Sequence, residues 1–215
     1  MLRRIHAELL RSAVGSEFSP RALDEIIAAS VKQDAFWTGQ IGHDEYHFDN
    51  NAFDKSRAFI EDQRALIAPA LENGDIETAW RAFGKLTHTA QDFYSHSNYV
   101  DLWLSFQSDG LKPAPSEIDP LDDVLVSSPT LRSGKIYYPL EALAFVPVLK
   151  KLVIPLLPRD SHAWMNLDSA GRGPLFEYAF SAAIKRTCYE FDVTTRNFSP
   201  GLLALFRDLS SDHAA

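Results

Sequence analysis

A chain of 215 residues with a formal charge of −8 is long enough to bury a sizeable core, and 46% hydrophobic with 23% charged residues is typical of an ordered globular protein. The acidic balance argues against duplex nucleic acid as a partner, because duplex affinity comes largely from lysine and arginine, and it suits divalent cations instead. A single cysteine, Cys188, excludes an internal disulfide.

Four helices are expected in the first half of the chain, over about 2–14, 20–37, 51–71 and 75–106. Ser19-Pro20 and Asp75 supply the N-terminal signals for the second and fourth of them. The segment between the second and third helices is unusually dense in histidine and carboxylate side chains. We therefore interpret it as more than a linker.

The second half begins with an irregular excursion over about 107–139, rich in Pro, Ser, Asp and Gly. A helical stretch near 139–152, a turn-rich segment, a helix over about 174–195 and a short last helix after Ser199-Pro200 complete the pattern. Convincing strand alternation is absent from the sequence. These features predict an all-α, single-domain helical bundle over 1–215.

The N-terminal residues and the most apolar stretch indicate whether the chain is expected to be exported or to span a membrane. The first residues, Met-Leu-Arg-Arg-Ile-His, do not develop into the apolar core of an export signal. The apolar stretch 140–158 is interrupted by charges and prolines, so it falls short of a spanning helix. We therefore expect no transmembrane segment and favour a cytoplasmic location.

The segment 88–96 carries the strongest chemical signal. On a helix, His88, Asp92 and His96 share one stripe, since they are spaced four residues apart. The two histidine Cα atoms would lie about 12 Å apart, too far for both rings to bind one ion. This spacing predicts more than one metal, with Asp92 as a possible bridge. The alternative is an ordinary polar helix face.

Other segments offer partners for that stripe. Large apolar residues flank it, which predicts a buried helix, and buried ionisable groups need partners. His6 in the first helix, Asp34 near the end of the second, and the turn 45–49 with His47 and Asp49 can supply them. Zinc prefers histidine with carboxylates when thiolates are absent.

In order along the chain, His6, Asp34, the string His47-Phe-Asp49-Asn50 and the string Gln-Asp92-Phe-Tyr-Ser-His96-Ser-Asn resemble the zinc-dependent phospholipase C superfamily, in particular its Het-C-like branch. The resemblance covers most of the chain, and the second string is its specific signature. It implies a bundle of the zinc-dependent phospholipase C and zinc nuclease type.

The resemblance also implies a ligand set for two or three zinc ions. Asp34, His47, His88 and Asp92 would surround one zinc, and Asp92 would bridge to a second zinc held by His6. His96 would serve a third ion, for which His162 and Glu177 are further candidates. Asp49 could instead orient His47 without binding metal.

The chain departs from the secreted phospholipases of that superfamily in three places. The last gap of the helix motif is three residues instead of five, and the downstream His-xxx-Glu pair is missing. An N-terminal tryptophan is also missing, and Met1 has no obvious means of replacing it. The ion at His6 is therefore expected to have fewer protein ligands and more water.

Such a cluster favours hydrolysis of a phosphodiester by a metal-bound hydroxide, with Asp34 positioning the hydroxide or taking its proton. The resemblance implies phospholipase C-type cleavage of a phospholipid head group. A single-strand nuclease-like zinc phosphodiesterase is the nearest alternative, and a non-catalytic Het-C-like interaction or toxicity module is another. The apolar stretch 140–157 could make transient contact with a membrane surface, although core packing is the first expectation.

Overall fold

The computed structural model of the chain describes residues 1–40, 42–107, 112–144 and 147–209. The long helices begin where the sequence supplies caps: the Ser19 hydroxyl accepts a hydrogen bond from the Ala22 N–H at 3.1 Å, and the Asp75 carboxylate accepts one from the Thr78 N–H at 3.2 Å. The α-helices of the described residues are α1 (Arg3–Val14), α2 (Pro20–Lys32), α3 (Asp44–His47), α4 (Phe53–Glu72), α5 (Ile76–His96), α6 (Tyr99–Ser105), α7 (Asp123–Val126), α8 (Leu140–Ala144), α9 (Pro147–Val153), α10 (His162–Met165), α11 (Leu175–Thr195) and α12 (Pro200–Arg207).

Helix α5 lies at the centre of the fold. It packs against α2, α4 and α11, and α1 packs in turn against α2 and α11. Every residue from Leu86 to His96 is buried. A helix buried on all sides has to satisfy its polar side chains inside the protein, because water does not reach them. The histidine and carboxylate stripe of α5 therefore faces other side chains.

Close contact between α2 and α5 depends on Gly84. A Cβ atom at this position would lie 2.3 Å from the carbonyl oxygen of Ile26, inside any allowed contact distance. The absence of a side chain thus brings α5 against α2. This contact fixes the helix that carries the stripe relative to the helix that precedes Asp34.

Aromatic side chains fill much of the core around α5. Phe18 lies against Phe83, Phe191 and Phe206 with ring centroids 5.1–5.8 Å apart. A smaller apolar cluster of Val153, Leu157 and Ala163 forms beside the main core. This second cluster belongs to the stretch that follows the excursion.

Two predicted helix boundaries are wrong. The second helix ends at Lys32, and a π-helical turn follows over Phe36–Gln40. The fourth helix was expected to reach Phe106, but it breaks at Ser97, whose backbone is extended. The break is stabilised by the Asn98 side chain, which accepts a hydrogen bond from the Arg132 N–H at 2.8 Å.

In the residues that are described, the excursion over 107–139 contains two short helical pieces, a 3₁₀ turn at Pro115–Glu117 and helix α7. Its far end returns to the centre of the molecule. The Gly134 N–H donates to the His96 carbonyl at 2.9 Å, and the Asn50 N–H donates to the Gly134 carbonyl at 2.9 Å. The irregular segment thus covers the end of α5.

The prediction of an all-helical, single-domain fold is confirmed, and the described residues contain isolated bridges but no strand. The stretch expected to be helical near 139–152 forms α8 and α9. The expectation that it packs in the core holds in part: Val153 and Leu157 are buried, whereas Val148, Leu152 and Leu156 are exposed. Among the described helices none is both long and apolar enough to cross a membrane.

Candidate metal centre

Asp92 is the point on which the cluster converges, and its two oxygens face different imidazoles. Oδ1 lies 3.2 Å from Nε2 of His6 on α1. Oδ2 lies 2.8 Å from Nδ1 of His47 on α3 and 3.2 Å from Nε2 of His88, one turn earlier on α5. A carboxylate whose oxygens point to separate nitrogen donors has the geometry of a bridging ligand.

Asp34 lies at the edge of this group, just after α2. Its Oδ1 is 3.8 Å from His88 Nε2, and its side chain is 10% exposed, whereas those of His88 and Asp92 are fully buried. Its Oδ2 is buried and has no hydrogen-bond partner within the described part of the chain. The Arg3 guanidinium holds the backbone here by donating to the Asp34 carbonyl at 2.6 Å.

The Met1 amino group joins the cluster, although Met1 was expected to have no obvious means of replacing the missing tryptophan. This group is buried, pairs with Asp92 Oδ1, and lies 3.4 Å from both His96 Nε2 and Asp168 Oδ1. An amino group belongs to the backbone, so it leaves no side-chain signature for sequence reasoning to find. The neighbourhood of His6 therefore holds more protein atoms than expected.

A second group forms at the end of α5. Asp49 Oδ1 lies 2.8 Å from His162 Nδ1 and 3.5 Å from His96 Nδ1. His96 Nε2 lies 3.2 Å from Asp168 Oδ1 and 3.9 Å from Asp92 Oδ1. His96 thus connects the two groups, and His162 is brought to it from α10.

The candidate Glu177 is not part of this second group. It is exposed on α11 and belongs to neither group of potential ligands. Asp49, which the sequence suggested as an orienting residue, lies beside His96 and His162 instead. Asp168 was missed, because nothing in the turn-rich segment distinguished one aspartate from the others.

Gln91 was also missed, although it is fully buried beside Asp92. Its Oε1 lies 2.7 Å from His6 Nδ1, and its amide nitrogen donates to the Thr187 hydroxyl at 2.9 Å. Thr187 donates in turn to the Ala183 carbonyl at 2.8 Å, which fixes the orientation of the amide. Gln91 therefore accepts from His6 Nδ1–H and leaves Nε2 directed at Asp92.

The buried charges shift the pKa values strongly. Burial alone would raise the pKa of Asp92, but the Met1 ammonium and the imidazoles of His96, His6 and His88 hold it well below its usual range. Burial, reinforced by His6, lowers the pKa of His88 to about 3. Its imidazole is therefore neutral, which is the form that binds metal.

His96 and the Met1 amino group shift in the opposite direction. Burial would lower the pKa of His96, but Asp92, Asp49 and Asp168 raise it well above its ordinary value. Burial would likewise lower the pKa of the Met1 amino group, yet Asp92 and Asp168 raise it to about 11. Protons on these two groups balance the carboxylates here, and a bound cation would replace such protons.

The residues present fit a metal. His6, Asp34, His88 and Asp92 each offer one ligand atom, and these atoms lie within 4.8 Å of one another; Asp49, His96 and His162 form a second set by the same measure. Within the described residues, His6 Nε2, His88 Nδ1 and Asp34 Oδ2 are buried without a hydrogen-bond partner. Nitrogen and carboxylate donors without thiolate are a ligand set that zinc accepts.

A cavity of about 630 Å³ lies close to the end of the second group. Ser97 and Leu167 line it, and they adjoin His96 and Asp168 in the chain. Three arginines, Arg132, Arg159 and Arg172, contribute to the same wall. Two aspartates, Asp101 and Asp160, line the same cavity. This side of the centre therefore offers open space bordered by charges of both signs.

The fold and the site together define a helical protein whose central helix carries a buried histidine and carboxylate cluster suited to metal. The chain belongs to the family of VWA7 N-terminal domains, which it matches over residues 4–129. Over 99 residues it is 31% identical to von Willebrand factor A domain-containing protein 7 of Rattus norvegicus, which corresponds to 44% of this chain and 11% of that protein. The chain thus spans about a tenth of the length of this relative. The comparison with solved structures gave no match.

The matched region contains seven of the candidate metal ligands, and they are His6, Asp34, His47, Asp49, His88, Asp92 and His96. His162 and Asp168 lie beyond it. The family therefore extends over the α1 to α5 part of the centre, and the match itself assigns no chemistry to these side chains.

Proposed function

We propose that this chain is a zinc-dependent phosphodiesterase that cleaves the head group of a phospholipid in the manner of a phospholipase C. One observation carries the proposal: the two oxygens of Asp92 face separate imidazoles, and Asp49, His96 and His162 form a second ligand set next to them. Two or three divalent ions held this closely suit phosphate ester hydrolysis. The resemblance to the zinc-dependent phospholipase C superfamily gives the lipid substrate class.

The roles of the residues follow from their positions. His6, His47, His88, Asp92 and Asp34 would hold two ions, and His96 with Asp49 and His162 would hold a third. Zinc, when bound, lowers the pKa of water and neutralises the phosphate oxygens. The chain itself supplies the fixed ligands and a carboxylate that can accept a proton.

Asp34 is the candidate proton acceptor. It is the most exposed carboxylate of the first set, and its Oδ2 is not engaged by another described residue. In this position it can take the proton of the attacking water, which is general base catalysis.

Depth of burial favours a second candidate function. The side chains of His6, His88 and Asp92 are fully buried, as in a metal site that stabilises a fold. A metal-stabilised interaction module without turnover would have this property too. Such a module and the enzyme share the metal, so turnover is the measurement that separates them.

Zinc-loaded protein should be assayed on phosphatidylcholine, on a soluble chromogenic phosphodiester and on single-stranded DNA. The proposal predicts hydrolysis of the first two, and a loss of about a hundredfold or more in Asp34→Asn. Asp62→Asn, an exposed carboxylate of α4, is the matched control and should keep full activity. Turnover of DNA alone would support a nuclease instead, and turnover of none would support the interaction module.

A further inference from the structure

An apolar stripe is exposed on α9 and the 3₁₀ turn that follows it. Val148 is 83% exposed, Leu152 70% and Leu156 71%. Val148 and Leu152 are about one turn apart in α9, so they lie on one side of that helix, and Leu156 ends the 3₁₀ turn Ile154–Leu156 that follows. The opposite side is apolar as well, since Val153 and Leu157 pack against Ala163 of α10 in the smaller core cluster. A helix that is apolar on both sides needs cover on the outer side.

Exposed apolar residues next to the stripe extend the apolar surface. Leu140 and Leu143 of α8 are also exposed, as is Tyr138 just before that helix, and α8 packs against α9. Single exposed leucines occur on most proteins, but a run of them within one short stretch marks a surface that meets something apolar.

The charged residues around the stripe indicate which kind of apolar partner this surface can bind. Residues 139–159 contain three cationic residues, Lys150, Lys151 and Arg159, and one acidic residue, Glu141. Glu141 is buried and accepts hydrogen bonds from the N–H groups of Ala163 at 2.6 Å and Tyr137 at 3.3 Å. Lys151 is exposed. The described surface of this segment is therefore cationic, because Lys151 and Arg159 are exposed and Glu141 is buried, while the whole chain carries −8.

We infer that the stripe formed by Val148, Leu152 and Leu156 docks on the surface of an anionic bilayer, inserting its side chains while Lys151 contacts the lipid phosphates. Apolar insertion combined with cationic flanks is how helices lie in a membrane interface without spanning it. A second copy of this chain fits less well, because a two-fold interface would bring the cationic residues beside two identical stripes together.

Docking here would place the bilayer beside the candidate centre. His162 adjoins Ala163, which packs under the stripe, and it contacts Asp49 of the second ligand set at 2.8 Å. The inference that docking serves catalysis rests on the proposed function. The docking itself does not, because a bilayer can be bound without being cleaved.

The inference is tested by sedimentation of the whole chain with vesicles of phosphatidylcholine alone and of phosphatidylcholine mixed with phosphatidylserine. Binding to the mixed vesicles should be stronger, and it should fall at least about tenfold in Leu152→Ser/Leu156→Ser. Lys151→Glu should weaken binding to the mixed vesicles by roughly fivefold or more.

The matched control is Leu66→Ser/Leu205→Ser, which removes two leucines that are about half exposed on α4 and α12. It should bind vesicles like the unsubstituted chain. Equal loss in both double variants, or no vesicle binding by the unsubstituted chain, would overturn the inference. So would a dimer in solution that the Leu152→Ser/Leu156→Ser change dissociates, because a second copy would then cover the stripe.

Hydrolysis of the soluble phosphodiester separates this inference from the proposed function. The Leu152→Ser/Leu156→Ser variant should keep that activity, since neither residue belongs to the centre, and its helical circular dichroism should be unchanged. Vesicle binding without any turnover would leave the docking surface standing and would reject the phosphodiesterase.

Discussion

Asp92 carries more of the centre than any other residue, because a cluster of cationic and imidazole groups meets at its two oxygens. Its position on α5 was evident from the spacing of His88, Asp92 and His96, and its role as a possible bridge was predicted from the same spacing. The structure brings His6, Asp34 and His47 to it.

Replacing Asp92 tests the bridge. The two oxygens of Asp92 face separate imidazoles, and Asp92→Asn replaces one oxygen with an amide NH2, which does not bind metal. Because the bridge is then lost, we expect the loss of more than one metal per chain in elemental analysis. Glu177→Gln is the control, since Glu177 is exposed and outside both ligand sets, and its metal content should not change. Full metal content and stability in Asp92→Asn would show that this carboxylate does not bridge.

A second prediction at the residue scale concerns Gln91 and the orientation of the His6 imidazole. In Gln91→Leu, His6 Nδ1 and the Thr187 hydroxyl lose their partner in the core, which should lower the free energy of unfolding by about 1–3 kcal/mol. Zinc affinity should fall by about 10–100-fold, because His6 is no longer held. Chemical denaturation and competition with a chelator measure the two effects.

The control for Gln91→Leu is Thr194→Val, since the Thr194 hydroxyl is buried without a hydrogen-bond partner among the described residues. Removing that hydroxyl should leave zinc affinity unchanged and should leave stability unchanged or higher, because a buried hydroxyl without a partner is unfavourable. If Gln91→Leu bound zinc as tightly as the unsubstituted chain, Gln91 would have no part in orienting His6.

Sequence reasoning reached the histidine and carboxylate ligands that carry a helical or motif signal. It missed Gln91, which lies in the signature string but is neither a histidine nor a carboxylate, and it missed the groups without such a signal. His88, Asp92 and His96 follow the helical repeat. Asp168 and the Met1 amino group come from a turn and from the backbone, where no period marks them. Their part in the cluster depends on tertiary packing, which one sequence does not specify.

At the scale of the helices, the contact between α2 and α5 determines how Asp34 approaches His88. Gly84 permits that contact, and its requirement could not be seen in the sequence, where a glycine within a helical pattern only weakens the helix. The caps at Ser19 and Asp75 were evident from the sequence. The break at Ser97 was not, because the excursion that returns to pair with Asn98 lies more than 30 residues later.

Gly84→Ala therefore provides a test of the helix packing. In most helices alanine stabilises relative to glycine, but here its Cβ would lie 2.3 Å from the Ile26 carbonyl oxygen. We expect the free energy of unfolding to fall by about 1–3 kcal/mol in urea denaturation, since the helices must separate.

Gly201→Ala is the matched control, because Gly201 lies in α12 with nothing within 4 Å of the added atom. It should be neutral or stabilising by up to about 1 kcal/mol. A stabilising Gly84→Ala would show that α2 and α5 are not in such close contact.

At the scale of the whole molecule, helices from distant parts of the chain converge on one buried helix whose polar stripe would be costly without partners. The all-helical fold follows from periodicity and caps, and it was predicted. The exposure of Leu152 and Leu156 was not, because an apolar run has the same pattern whether it lies in a core or on a surface.

The proposed function requires that the converging side chains hold metal ions. The most direct test is elemental analysis of the purified chain after zinc supplementation and removal of loosely bound metal. We predict two or three zinc ions per chain. Fewer than one transition metal ion per chain would contradict the account.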